Sequence, residues 1–260
     1  MNKSNMDIEI IGICLVKNED IYIKRVLKNI SKFCDKIRVI DNGSSDNTID
    51  IVKRLMKRYP HISLEYIRDI HKTHSLVERY VGKKKWVFGV DGDEIYDRHR
   101  LYFLRKKILQ GEYQNKWMLR GYFYHLVKFN IKTKRAVGFL APPSKDPNKL
   151  YNFSLLKFWP SDNIQPLFHC QTHIFKNSKY FSHNYPEKKL LYKTSKWDDC
   201  LLRCVHTRML KRSTKENFNT IVNTRLNLSN VIDVDNIKHN SRKKYRKGKK
   251  VEKNVSKFFK

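Results

Sequence analysis

Trp86-Val87-Phe88-Gly89-Val90-Asp91-Gly92-Asp93-Glu94 is an apolar run that stops abruptly at carboxylates. A segment apolar along its whole length is expected of a parallel strand covered on both faces. An earlier stretch has the same shape: Val39-Ile40-Asp41-Asn42-Gly43-Ser44-Ser45-Asp46-Asn47-Thr48. In an open α/β sheet, ligands bind beyond the carboxyl ends of the strands. Two such ends side by side make a pocket suited to a nucleotide and a divalent metal.

Working outward, Ile8 to Val16 reads as a buried strand. Asn18-Glu19-Asp20 supplies helix-start chemistry, and Ile23, Val26, Leu27 and Ile30 follow at helical spacing, which predicts a helix over 20–31. Lys36 to Ile40 is a second strand, with Ser45 or Asp46 capping a helix from Thr48 to Lys57. Ile62 to Ile67 is a third strand, His74 to Gly82 a short helix and Trp86 to Val90 a fourth strand. This alternation argues for a mostly parallel sheet with flanking helices. Beyond it, Arg100–Leu109, Leu201–Leu210 and Asn217–Leu226 read as helices and Met118–Phe129 as strand.

Asp91-Gly92-Asp93 places two carboxylates around a tight turn, with the glycine relaxing the backbone. Hard oxygen ligands suit Mg²⁺ or Mn²⁺, which bind through one or two carboxylates plus substrate phosphates. Asp41 and Asn42 end the second strand, where a base or ribose is commonly held. His206 is a further metal-ligand candidate, and the cations after it, Arg208, Lys211 and Arg212, suit a diphosphate.

Leu15-Val16-Lys17-Asn18-Glu19, Ile40 to Thr48 and Val90 to Glu94 resemble, in order and spacing, three successive signatures of the family 2 glycosyltransferases. The resemblance covers roughly residues 8–100 and implies the GT-A fold, a Rossmann-like α/β arrangement. It further implies transfer of a sugar from a nucleotide-diphosphate donor, with inversion, onto a glycan or lipid-linked acceptor in polysaccharide biosynthesis. On that resemblance, Leu15, Lys17, Glu19, Asp41 and Asn42 hold the nucleoside, Asp91 lies near the ribose, and Asp93, with Asp91 and His206, holds Mn²⁺ or Mg²⁺. Two departures stand out. Many relatives carry two acids where this chain has Asp41-Asn42, and an Arg-Asn pair before the fourth strand is replaced here by a segment in which Arg79 is the substitute. Inverting transfer also needs a base for the acceptor hydroxyl. The expected carboxylates are Asp198 and Asp199, beside Trp197, with Glu94 next.

The composition bounds this reading. A 260-residue chain suits one domain, with a donor half over 8–100, an acceptor half over 101–235 and a basic tail over 236–260. The net charge of +30 favours anionic partners. Residues 238–260 alone hold 11 Lys/Arg against one Glu, so the tail is expected to be poor in folding and to touch an anionic membrane, with Phe258-Phe259 inserting. Five irregularly spaced cysteines, no apparent leader and no spanning segment suggest the cytoplasm, with peripheral membrane contact. The charge also fits a nucleic-acid-binding protein, and the paired acids fit a nucleotidyl or phosphoryl transferase. No G-x-x-x-x-G-K-[ST] loop supports the latter, and the ordered motifs argue against nucleic acid as the partner.

Overall fold

The computed structural model describes residues 8–140, 148–159, 181, 188–216 and 250–260. Strands β1 (Glu9–Val16), β2 (Lys36–Asp41), β3 (Ile62–Tyr66) and β4 (Lys85–Asp91) form a parallel set in the order β3-β2-β1-β4. The order reverses at β1, so the crevice between β1 and β4 is the switch point where α/β sheets bind ligands. Helices α1 (Ile23–Ile30) and α2 (Thr48–Arg58) follow β1 and β2, and α3 (Ser75–Glu78) is one turn after a 3₁₀ turn at Ile70–His74. Helix α1 begins three residues later than the sequence suggests. Asp20 does not cap it: its carboxylate accepts from Thr214 instead.

The chain then leaves the first sheet at Asp91-Gly92-Asp93. Strand β5 (Glu94–Tyr96) belongs to a second sheet, and α4 (Arg98–Leu109) follows, its first amides bonded by Asp97. Strands β6 (Met118–Arg120), β9 (Asn148–Asn152) and β10 (Lys188–Leu190) extend the first sheet past β4. Strands β7 (Tyr122–Asn130), β8 (Arg135–Leu140), β11 (Arg203–His206) and β12 (Lys250–Asn254) complete the second, in the order β12-β8-β7-β11-β5. One apolar cluster joins α1, one face of the first sheet and the second sheet, through Val26, Leu27, Phe88, Tyr96, Tyr124 and Trp197. The opposite face packs Ile11, Val87, Trp117, Tyr151 and Trp159.

Three expectations change. Met118–Phe129 is not one strand but two in different sheets, broken at Gly121. There the backbone passes so close to Leu202 that a Cβ would lie 1.9 Å from its carbonyl oxygen. Leu201–Leu210 contains a strand rather than a helix, because β11 is held between β5 and β7 and the buried Arg203 pairs with Asp97. A short apolar run does not reveal its type by periodicity alone. The last part of the basic stretch also folds. Residues 250–254 pair antiparallel with β8, Phe258 is buried against Trp197, and Phe259 stacks on Phe129 at 4.4 Å. Phe258 is therefore a core residue and not a membrane wedge. Asn217–Leu226 and residues 236–249 lie outside the described residues.

Candidate active site

The loop after β1 and the loop after β2 are knitted together by short polar residues. Asn18 sits at φ 56°, a left-handed conformation that asparagine tolerates, and its Oδ1 accepts from the Ser45 amide at 2.7 Å. The Asn18 and Glu19 amides donate to Ser44 Oγ and Thr48 Oγ1. Asp41 is buried and accepts from the amides of Gly43 and Ser44, each at 3.0 Å. Its carboxylate shapes the turn rather than facing a base. Asn42, with its amide nitrogen turned inward, donates to the carbonyls of Ile67 and Arg68. Leu15 packs inward, Lys17 is exposed on the loop after β1, and Arg79 is exposed and donates to Tyr80.

The acidic turn itself crosses the switch point. Asp91 is in register with Leu15, and the Gly92 amide donates to the Leu15 carbonyl at 3.0 Å. A Cβ on Gly92 would lie 2.5 Å from Glu19 Cγ, so only glycine lets Glu19 lie against the turn. Asp91 and Asp93 then diverge. Asp91 Oδ2 is 2.8 Å from the ammonium of Lys149, whose other partner is Glu94 Oε1 at 3.1 Å. Asp93 Oδ2 is 2.9 Å from Arg212 and 3.5 Å from His206 Nε2. Arg212 also reaches Glu19 Oε1 at 2.6 Å, tying the loop after β11 to the loop after β1. The backbone of Thr207 fixes the turn by donating to the Asp93 carbonyl.

Burial opposes charge at each of these groups, and the neighbours decide the outcome. Burial would raise the Asp93 carboxyl, but His206 and Arg212 outweigh it and hold Asp93 well below the usual carboxylate range. Glu94 goes the other way. Burial, reinforced by Asp91 and Asp93 and only partly countered by Lys149, pushes it up to about 8. Lys149 is buried, yet Asp91 and Glu94 keep it charged. His125 meets His206 with Nδ1 to Nδ1 at 3.0 Å, and burial, with His206 beside it, pushes His125 well below the ordinary histidine value. A neutral His125 gives His206 a fixed partner, leaving Nε2 turned toward Asp93.

The structure thus brings together Glu19, Asp91, Asp93, Glu94 and His206. Asp198 and Asp199 lie elsewhere. Their carboxylates are exposed and meet Arg203, Lys253 and Arg100, at the far end of β11 from His206. Three residues of strand separate those ends, about 10 Å. Trp197 is buried against Tyr122, Tyr124 and Phe258 and offers no face to a sugar. Glu94 is sealed beneath Lys149 and Tyr96. Lys149 was not visible as a site residue in the sequence. Its one signal is a charge directly before Leu150-Tyr151 in a short apolar strand. His125 was equally silent, within an aromatic run.

The donor set suits a hard divalent ion. Among the described residues no three His, Cys, Asp or Glu side chains converge as a closed cage. Asp93 and His206 do converge, and such ions commonly take only one or two protein ligands when phosphates supply the rest. Asp91 does not join them, since its carboxylate is held by Lys149.

No protein-family model matches the chain, and no curated protein does. Solved structures do match. One is Staphylococcus aureus TarS 1-349 in complex with UDP, at 13% identity and TM-score 0.41, covering 91% of this chain and 68% of that one. Another is the mannosyltransferase PcManGT of Pyrobaculum calidifontis with GDP-Man and Mn²⁺, at 14% and 0.45, covering 86% and 62%. Glucosyl-3-phosphoglycerate synthase of Mycobacterium tuberculosis with Mn²⁺ and UDP matches at 18% and 0.31, covering 45% and 44%. At low identity, then, the structural matches are to GT-A glycosyltransferases, and this chain spans between 44% and 68% of their lengths.

Proposed function

We propose that the chain transfers a sugar from a nucleotide-diphosphate donor to a hydroxyl of a glycan or lipid-linked acceptor. The observation that carries this reading is the convergence of Asp93 and His206. They come from separate parts of the chain, 3.5 Å apart at the β1/β4 switch point, with Arg212 on the same carboxylate. An ionised acid and an imidazole can hold a divalent cation there, and that cation with the guanidinium would offset charge on a departing diphosphate.

In this reading the β1 and β2 loops, fixed by Asn18 and Asp41, form the floor for the nucleoside, with Asn42 and Lys17 at its edge. Asp93 and His206 would hold Mn²⁺ or Mg²⁺, which when bound offsets charge on the departing diphosphate. Arg212 adds a fixed cation at the same place. Lys149 orients Asp91, whose side chain keeps 27% exposure at the crevice. Among the described carboxylates of this edge, Asp91 is the one open to an acceptor hydroxyl, and Glu94 and Lys149 position it. In this reading Asp198 and Asp199 are not the base, which is supported by their exposed carboxylates lying on Arg203, Lys253 and Arg100.

A panel of nucleotide sugars, tested for hydrolysis with Mn²⁺ present, examines the reading. Asp93→Asn and His206→Gln are expected to lower Mn²⁺ affinity and hydrolysis together in folded protein. Asp198→Asn and Asp199→Asn are expected to leave kcat within a few-fold. Normal turnover by Asp93→Asn, or a collapse of kcat in Asp198→Asn with donor binding intact, would overturn it.

A further inference from the structure

A groove of about 380 Å³ opens between the start of α1 and the β7–β8 turn. Its apolar lining includes Ile21, Phe129, Ile131 and Phe259, and the two rings stack at 4.4 Å. Ile131 is 69% exposed and Ile21 40% exposed, so an apolar surface faces solvent at its rim. Around it stand four cations, Lys24, Arg25, Lys28 and Lys134, with the Lys134 ammonium 5.9 Å over the Phe129 ring. The lining carries no acidic side chain; Arg25 donates to the backbone oxygen of Lys260, which leaves Lys24, Lys28 and Lys134 as the cations turned to the groove. Burial and mutual repulsion lower the affinity of Lys28 for its proton, with Lys24, Arg58 and Arg25 contributing. A concentration of like charge beside exposed isoleucines is costly unless something anionic and partly apolar covers it.

We propose that this groove docks the protein on an anionic phospholipid leaflet, the headgroup phosphates among Lys24, Lys28 and Lys134 and the acyl region against Ile21, Ile131 and the ring pair. Charge complementarity selects the occupant. A free phosphate satisfies the cations and leaves the apolar rim uncovered, whereas a lipid surface covers both. The placement also suits the candidate active site. The Ile21 amide donates to the Arg212 carbonyl, and Glu19, two residues earlier, meets the Arg212 guanidinium. A docked leaflet would therefore lie beside the crevice. The inference does not depend on the donor reading, because lipid binding is measured without a nucleotide sugar.

The experiment is co-sedimentation of the full chain with vesicles containing phosphatidylglycerol, against vesicles of phosphatidylcholine alone. The groove variant combines Lys24→Glu, Lys28→Glu and Lys134→Glu. The control carries the same change of charge at exposed sites away from the groove, Lys72→Glu, Lys83→Glu and Lys106→Glu. Circular dichroism of each confirms folding. At about five-fold per cation, the groove variant is expected to lose on the order of 100-fold in affinity for the anionic vesicles, while the control stays within several-fold. Ile131→Asp alone is expected to lose several-fold. An equal loss in groove variant and control would overturn the proposal in favour of diffuse charge. Unchanged binding by Ile131→Asp, together with full competition by inorganic phosphate, would overturn it in favour of a simple anion site.

Discussion

Lys149→Met tests the charge arrangement beneath the acidic turn. The ammonium is buried and lies 2.8 Å from Asp91 and 3.1 Å from Glu94. Methionine keeps most of the stem's volume and removes the charge, leaving the Asp91 and Glu94 carboxyl groups without the cation they share. Removing one partner of a buried pair costs about 3–5 kcal/mol. Part of that cost is avoidable here, because Glu94 already holds its proton up to about pH 8 and would hold it more tightly still. A loss of about 3 kcal/mol at neutral pH is therefore expected. Adding Glu94→Gln should change little further, since Glu94 is already neutral there and the amide keeps its shape. Urea denaturation of the four proteins in this cycle measures both quantities. Lys149→Met within about 0.5 kcal/mol of the parent, which is the range of an ordinary surface substitution, would show that Lys149 does not hold the acidic turn together. A Glu94→Gln substitution that deepens the loss would contradict a neutral Glu94.

Further outcomes follow from the same structure. Glu94 is raised from its ordinary value, so the folded state binds its proton more tightly than the unfolded chain, and stability falls as pH rises toward about 8. His125 is depressed, which makes stability rise with pH only up to its unfolded value near 6.5. Between roughly pH 6.5 and 8 the Glu94 effect stands alone, and urea titrations should show a fall of about 1–2 kcal/mol that Glu94→Gln abolishes. Arg212→Ala removes a cation from Asp93 and Glu19, so calorimetry should show Mn²⁺ binding roughly ten-fold tighter and nucleotide-diphosphate binding weaker, a 1.4 kcal/mol effect each. Phe258→Ala empties a site stacked on Trp197 and should cost about 3–5 kcal/mol in denaturant unfolding, where a solvated tail would lose nothing.

Much of the fold was legible because β1 and β4 are near-continuous apolar runs, β2 and β3 are short runs of alternating apolar and polar residues, and helical spacing lies between β1 and β2 and between β2 and β3. The pairing of Asp93 with His206 was legible as chemistry but not as geometry, since more than a hundred residues separate them and only the register of β11 on β5 brings them together. Asp41 looked like a ligand because a strand-end acid has two uses, and the amides of Gly43 and Ser44 claim this one. Asp198 and Asp199 looked like bases because Trp197 beside them suggests a sugar platform. That indole is spent on Phe258, which the charge-rich end of the chain brings to it. Strand β12 escaped notice because its residues alternate Lys, Val, Glu, Lys, a pattern dominated by charge until Val251 and Val255 find β8 and the core.

In the proposed function Asp93 and His206 hold the divalent ion through which the crevice takes a nucleotide-diphospho-sugar. The most direct test is thermal stabilisation of the wild-type protein by a panel of UDP- and GDP-sugars with Mn²⁺, run beside Asp93→Asn. At least one donor is expected to stabilise the wild type, Mn²⁺ to strengthen the effect, and Asp93→Asn, folded, to lose it. Stabilisation of both proteins to the same extent, or of neither by any nucleotide sugar, would contradict the proposed function.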